Sequence, residues 1–374
     1  MVARYRRLEG LLAKIPVKPY LLESTSCAHG GVPEAELRAC GLSPAEVYDF
    51  SVNCNPYGPP PSVRQAIAEV AMERYPDGQA ERLRVALAGW HGLSAQEVVA
   101  GNGSAELIYL LCRAGLDEGD RVLAVGPTFS EYERGAHAVG ARFEMYRAPG
   151  PSFRPDIEAV GARIAEWQPR LVFLCNPNNP TGVYLGRLEV KALASACEEG
   201  LLVLDEAYAP FVAEAWAPEP LLRLGNVVIL RSLTKDLALA GVRLGYALMP
   251  STIARALLSA QPPWSVNGFA QAAGLAAVAE RDYVARCRGL MLAEARRLRE
   301  AIAGMGWPVV PSMTNFFLVR VGDAAGVARA LLRRGVAVRD CTSFGLGEYI
   351  RVAARTPSEG DRLLQAMAEV RESA

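Results

Sequence analysis

NVVILRSLTKDLALAGVRLGYALM, residues 226–249, sets two apolar runs on either side of a turn that carries a lysine, two hydroxyls and an arginine. Ser232 and Thr234 come just before Lys235, and Arg243 follows within the same turn. Short continuous apolar runs of this kind suit strands buried on both faces of a largely parallel sheet. Similar runs lie upstream as RVLAV (121–125), LVFLC (171–175) and LLVLD (201–205). Between them stand helical patterns such as RLEVKALASACEEG (187–200), apolar at three-to-four spacing and closed by glycine. This alternation predicts an α/β domain over 51–255, a mostly parallel sheet flanked by helices.

QPPWSVNG (261–268) breaks the rhythm and reads as a hinge or connection. A long helical region follows, roughly 269–304, and then strand candidates NFFLVRV (315–321), VAVRD (336–340) and YIRVAA (349–354). These predict a smaller α+β domain over 256–374, with residues 1–50 as an N-terminal arm packed against it. A chain of 374 residues is too long for one ordinary core, which agrees with two domains.

Composition excludes some partners. Forty basic residues balance forty acidic ones, so no overall field favours nucleic acid or an anionic membrane. The eight cysteines form no C-x-x-C pair and there are three histidines, so no metal centre is expected and the cysteines read as isolated thiols. The first residues, MVARYRRLEGLLAKIPVKP, lack the long apolar stretch and cleavage site of a signal peptide. No apolar run approaches the roughly 18 residues that span a bilayer. A cytoplasmic protein is expected.

Ligands of an open α/β sheet bind beyond the carboxyl ends of its strands. Run 171–175 leads into NPNNPTG (176–182), run 201–205 ends on Asp205 with Tyr208 close behind, and run 226–231 leads into SLTK (232–235). An amide, a carboxylate and a lysine therefore reach one edge. AGNGSAELIYLL (100–111) places a glycine turn at the start of a helical pattern, where free backbone N–H groups suit an anion. GPTFSEY (126–132) adds an aromatic, Phe129. A ligand that wants these groups has a phosphate, a flat ring and an electrophilic carbon for the lysine, which describes pyridoxal phosphate. Plainer readings stay open: Asp205 as a helix cap, Phe129 as core, Ser232 and Thr234 as turn residues. Asn176 and Asn178 read as turn-formers.

The ordered series N-N-P-T-G, D-E-A-Y, S-x-T-K and R-L-G-Y resembles the fold-type I pyridoxal-phosphate enzymes of the aminotransferase class I/II family, from about residue 50 to the C-terminus. The resemblance implies the aspartate aminotransferase-like fold. It also implies that Lys235 joins the cofactor aldehyde and moves the substrate proton, while Asp205 sits against the ring nitrogen. Asn179 and Tyr208 would hydrogen-bond the ring oxygen, and Phe129 would stack on the ring. Ser232, Thr234 and Arg243 would hold the phosphate with the amides near Gly103, Ser104 and Ala105. ERYPDG (73–78) resembles the segment whose tyrosine reaches the partner's cofactor, which implies a homodimer with Tyr75 acting across the interface; a surface tyrosine beside a turn is the alternative.

Two enzyme families compete for the reaction. SVNCNPYGPP (51–60) and TSFGLGEYIRVAAR (342–355) are similar to histidinol-phosphate aminotransferases. CAHGGV (27–32), RYPDG, PTFSEYERG and PPWSVNGFAQAAG, taken together, resemble L-threonine-O-3-phosphate decarboxylase of cobalamin biosynthesis more closely. The first expectation is therefore a lyase that decarboxylates threonine phosphate to aminopropanol phosphate, and the alternative is an aminotransferase acting on histidinol phosphate or a related amino acid. Either way the partner is a small phosphorylated amino-acid substrate. The resemblance places His29, Gly30, Gly31, Tyr57, Arg339 and Arg351 at that substrate, although the two arginines also read as ordinary ion-pair partners. A regulator that only senses the cofactor would be expected to carry a basic helix-turn-helix, and none precedes residue 48.

Overall fold

The computed structural model describes residues 30–372 of the protein. After a short helix α1 (Glu34–Ala39) and strand β1 (Tyr48–Asp49), helices α2 (Pro61–Ala68) and α3 (Glu81–His91) lead into the large unit. That unit alternates β2 (Val98–Gly101), α4 (Gly103–Gly115), β3 (Arg121–Gly126), α5 (Glu131–His137), β4 (Arg142–Arg147) and α6 (Ile157–Trp167). It continues with β5 (Leu171–Cys175), α7 (Arg187–Ala196), β6 (Leu201–Asp205), β7 (Val227–Ser232) and β8 (Gly245–Leu248). Seven strands form one sheet in the order β2-β8-β7-β6-β5-β3-β4, parallel except that β8 runs antiparallel to both neighbours.

Strand alternation explains why the central runs are apolar throughout. Val172, Leu174, Leu202 and Leu204 pack into a core with α6 and α7, whereas Phe173 and Val203 pack with α4 and α5 on the opposite face. Each fully buried side chain of this kind contributes about 1.5–3 kcal/mol. Both faces are covered, so there is no polar face to leave a period-two signature.

Helices α8 (Ser251–Ala260), α9 (Gly268–Ala277) and α10 (Arg281–Gly304) follow. The helical pattern expected over 269–304 is thus two helices, because two cores claim its halves. Ala270, Ala273 and Ala277 of α9 belong to the large-sheet core, and a Cβ on Gly274 would come within 2.7 Å of Leu83 and Leu244 methyls. Ala295, Leu298 and Ile302 of α10 belong to the second core. Apolar packing therefore continues past the 255/256 boundary drawn from sequence and changes allegiance within α10.

The smaller unit adds β9 (Phe316–Arg320), α11 (Ala324–Leu332), β10 (Val336–Ala337), β11 (Arg339–Asp340), β12 (Tyr349–Ala353) and α12 (Pro357–Glu372). The run VAVRD is split. Its first half pairs parallel with β1, and its second half joins the antiparallel sheet β11-β12-β9. Residues 48–55 stitch the two units together. Beyond the β1–β10 pairing, Phe50 O accepts from Ala353 N at 2.9 Å, and Asn55 N donates to Lys235 O at 2.8 Å. Asn55 Nδ2 also donates to Asp236 O at 2.9 Å.

Candidate active site

The carboxyl ends of β5, β6 and β7 open into a cavity of about 320 Å³, within the usual size range for small-molecule sites. Asn179, Asp205, Tyr208, Ser232, Thr234 and Lys235 line it from these three strand ends. Ser104, Ala105 and Arg243 close one end, Phe129 one side, and Gly30, Arg339 and Arg351 the side of the small unit. Topology alone makes this convergence: β5, β6 and β7 are consecutive parallel neighbours, so their last residues lie abreast.

Asp205 is 3% exposed and ends β6 inside the protein. Its Oδ2 accepts from Tyr132 Oη at 2.7 Å and its Oδ1 from Ala207 N at 3.0 Å. Burial raises the pKa of its carboxyl despite both donors. The helix-cap reading fails, since Asp205 leads into a turn and a short 3-10 segment rather than an α-helix. Tyr208 is also buried, and burial pushes its phenol up while Lys235 and Arg351 pull it back. Lys235 has no hydrogen-bond or ion-pair partner for its amine among the described residues.

The end near α4 is built for an anion. Gly103 has φ +78°, and a Cβ there would collide with the Arg243 guanidinium. Gly245 brings β8 so close that a Cβ would collide with Ser104 N. Asn102 supplies no side-chain cap, so the first N–H groups of this 13-residue helix remain available. Ser232 Oγ and Thr234 Oγ1 lie 2.7 Å apart beside them.

On the opposite side, Arg339 and Arg351 are cross-strand partners of β11 and β12. Arg351 is 4% exposed; it donates to Ser51 O at 2.6 Å and to Asn179 Oδ1, while its Nε has no partner among the described residues. Burial lowers the pKa of its guanidinium. Arg339 donates to Ser343 Oγ at 2.8 Å. Two adjacent arginines facing one cavity form a strong anchor for an anion.

The remaining expected residues lie elsewhere. Gly103 sits behind Arg243, and Gly31 donates its N–H to Ser51 Oγ at 2.8 Å in an adjoining cleft. Tyr57 packs beside Tyr208 without lining the cavity. Tyr75 is 83% exposed, its ring 4.9 Å from that of Trp264. His29 lies outside the described residues. Asn176 brackets Leu185, accepting from its N–H at 2.7 Å and donating to its carbonyl at 3.1 Å, and Asn178 donates to Pro127 O at 2.8 Å; both shape the turn. Five of the seven described cysteines are buried and none is bridged.

Sequence reasoning missed Asn53 and Tyr132. Asn53 lines the cavity, is 2% exposed, and leaves both amide atoms without partners among the described residues. Tyr132 stacks on Phe173 at 4.6 Å and 6° while holding Asp205. Only its place one helical turn beyond Phe129 hinted at it.

A mostly parallel α/β sheet with a lysine, a buried acid and an anion cradle at its carboxyl edge defines a group-transfer enzyme with an organic, phosphate-bearing cofactor. The chain belongs to the aminotransferase class I and II family, whose model matches residues 45–367. It thus has the aspartate aminotransferase-like fold. It is 40% identical to the histidinol-phosphate aminotransferase of Symbiobacterium thermophilum over 86% of this chain and 90% of that one. Seven further relatives, 34–37% identical, are also histidinol-phosphate aminotransferases. The solved histidinol-phosphate aminotransferase of Sinorhizobium meliloti, in complex with pyridoxal-5'-phosphate, superposes with a TM-score of 0.86 at 29% identity, covering 96% of this chain and 98% of that one. The L-threonine-O-3-phosphate decarboxylase of Porphyromonas gingivalis gives 0.77 at 25%, covering 86% and 99%.

These findings overturn the threonine-phosphate decarboxylase expectation, and with it the lyase and cobalamin assignments. Two of the stretches that suggested it serve the common scaffold: PPWSVNGFAQAAG supplies α9, buried in the large core, and PTFSEYERG supplies the cavity wall at Phe129 and the stack at Tyr132. Among the described residues no helix is long and apolar enough to cross a membrane.

Proposed function

We propose that the protein is an aminotransferase that moves the amino group between histidinol phosphate, or a closely related phosphorylated amine, and 2-oxoglutarate. The observation that carries this reading is the Arg339–Arg351 pair facing the same cavity as Lys235 and Asp205. Histidinol phosphate carries a phosphate and no carboxylate, whereas glutamate carries carboxylates. One pair of arginines suits both halves of the reaction, because it reads negative charge rather than one anion's shape.

The cofactor is pyridoxal 5'-phosphate, and the residues present fit it. Asp205 is a buried carboxylate with no cation beside it among the described residues, and a protonated ring nitrogen would supply one. Gly103 and Gly245 let Arg243 and the start of α4 approach the hydroxyls of Ser232 and Thr234, a set of donors that suits a phosphate. When bound, the cofactor supplies an electrophilic carbon for amines and a ring that takes up the electron pair released at the substrate carbon. Lys235 would hold the cofactor at rest and, with its amine freed, would act as the base that takes the proton from the amine-bearing carbon and delivers it again on the same face. Asp205, oriented by Tyr132, would keep the ring nitrogen cationic. Asn179 and Tyr208 would hold the ring oxygen, Phe129 would cover the ring, and the arginines would hold the substrate anion so that Lys235 meets the correct carbon.

The test is to supply the holoenzyme with histidinol phosphate and 2-oxoglutarate and to measure glutamate. A cofactor-loaded protein that forms no glutamate from this pair overturns the substrate reading. The reading includes a homodimer in which Tyr75, exposed beside Trp264 in the single chain, reaches the neighbouring cofactor. Mixing inactive Lys235→Ala and Tyr75→Ala chains should then restore activity through hybrids that keep one intact site; mixtures as inactive as their parents would remove Tyr75 from that role.

A further inference from the structure

The carboxyl ends of β6 and β7 carry a second set of charges that the cavity above does not use. Glu206 and Arg231 each lie one residue from a cavity-lining position, and they form an ion pair of 2.8 Å with the Glu206 side chain 1% exposed. Arg231 leads into a separate cavity of about 360 Å³, also lined by Asp236, Glu219, His91, Trp90 and Trp216. His91 is held at both ring nitrogens, 2.7 Å from Glu219 Oε1 and 2.8 Å from Tyr246 Oη. Asp236 is different. It is 3% exposed, yet its Oδ1 has no hydrogen-bond partner among the described residues.

We propose that this second cavity binds a small cationic ligand, a protonated amine on an aromatic or compact apolar body, with the ammonium group at Asp236. A buried carboxylate oxygen without a donor is costly, and an ammonium ligand removes the cost by supplying charge and hydrogen together. Arg231 favours the Asp236 carboxylate only through space, since its close ion pairs are with Glu206 at 2.8 Å and Glu219 at 3.9 Å. The walls agree with such a ligand. Trp90 already carries a cation on its face, the Arg281 guanidinium at 5.2 Å, and Trp216 adds a second indole to the lining. The rim arginines Arg281 and Arg288 are partly offset by Glu280, and they favour a single positive charge at the inner end over a dication. Burial pushes the Asp236 carboxyl up to about 7, although the backbone N–H groups of Asp236 and Leu237 and the Arg231 charge pull it down.

The probe is N,N-dimethylbenzylamine, a tertiary amine that has one N–H for Asp236 when protonated and cannot condense with an aldehyde at Lys235. Calorimetric titration of the holoenzyme should show saturable binding of one molecule per chain, and benzyl alcohol, a neutral counterpart, should bind at least tenfold more weakly. Asp236→Asn preserves shape and removes charge, and should weaken binding about tenfold or more. Ala285 is exposed at the mouth of the cavity, so Ala285→Trp should abolish binding and leave transamination intact even where the Asp236 variant folds poorly. Absence of saturable binding to the wild type, binding unaltered by Ala285→Trp, or equal binding of benzyl alcohol would each overturn the assignment.

Discussion

Replacing Tyr132 with phenylalanine removes one hydroxyl from beneath the candidate site and little else. The ring is fully buried and stacked on Phe173, and a phenyl ring keeps both properties. What disappears is the 2.7 Å bond to Asp205 Oδ2, leaving the Ala207 N–H on the other oxygen. A hydrogen bond to a charged acceptor contributes about 1.5–3 kcal/mol. The pH dependence follows from proton balance. Burial raises the folded-state pKa of Asp205 above its ordinary 3.8, so between those two values the native state holds a proton that the unfolded chain has released. Stability therefore falls as pH rises through that window, and Tyr132 limits the fall by favouring the carboxylate. Tyr132→Phe should cost the full amount at pH 8, and less as pH drops toward 3.8, where Asp205 is protonated and no longer needs the donor. Urea unfolding of the cofactor-free protein at pH 8 and near pH 3.8, followed by tryptophan fluorescence, measures both quantities. The same substitution in an Asp205→Asn background should cost less, as coupled groups do. A loss below about 0.5 kcal/mol at pH 8, small against the hydrogen-bond range, or an equal loss at both pH values, would refute the reasoning.

Lys235→Ala should abolish transamination, and borohydride treatment followed by mass spectrometry should find no cofactor-bearing peptide, whereas the wild type yields one containing residue 235. Gly103→Ala should weaken cofactor retention tenfold or more in equilibrium dialysis, because the positive φ strains any side chain by about 1–2 kcal/mol and the new methyl strikes Arg243. Arg351→Lys should lower kcat/KM for histidinol phosphate about a hundredfold, since an ammonium cannot bind an anion bidentately while also reaching Ser51 O and Asn179. An unchanged kcat/KM would place the substrate anion elsewhere.

The central sheet is legible in the sequence because β3, β5, β6 and β7 are buried on both faces and so read as unbroken apolar runs. Strand β4 escapes that reading. It lies at the sheet edge, and Arg142, Glu144 and Arg147 interrupt it. Strand β2 is only four residues long. Polar residues at strand ends could be gathered from sequence because parallel neighbours finish abreast. Asn53 and Tyr132 could not, since nothing local says that a loop after β1 or the first turn of α5 will meet the end of β6. The choice of reaction was equally hidden: two of the segments that pointed to decarboxylation, PTFSEYERG and PPWSVNGFAQAAG, wall the cavity or pack the scaffold, and neither duty depends on which bond is broken.

The seam at residues 48–55 has a consequence for dividing this enzyme into fragments. A cut there would strip β10 of its pairing strand and the lysine loop of its two hydrogen bonds to Asn55 in one stroke, so the pieces would have little chance of reassembling. Ala213 and Glu214 are exposed and outside every helix and strand, and a split-protein reporter would be better opened at that point.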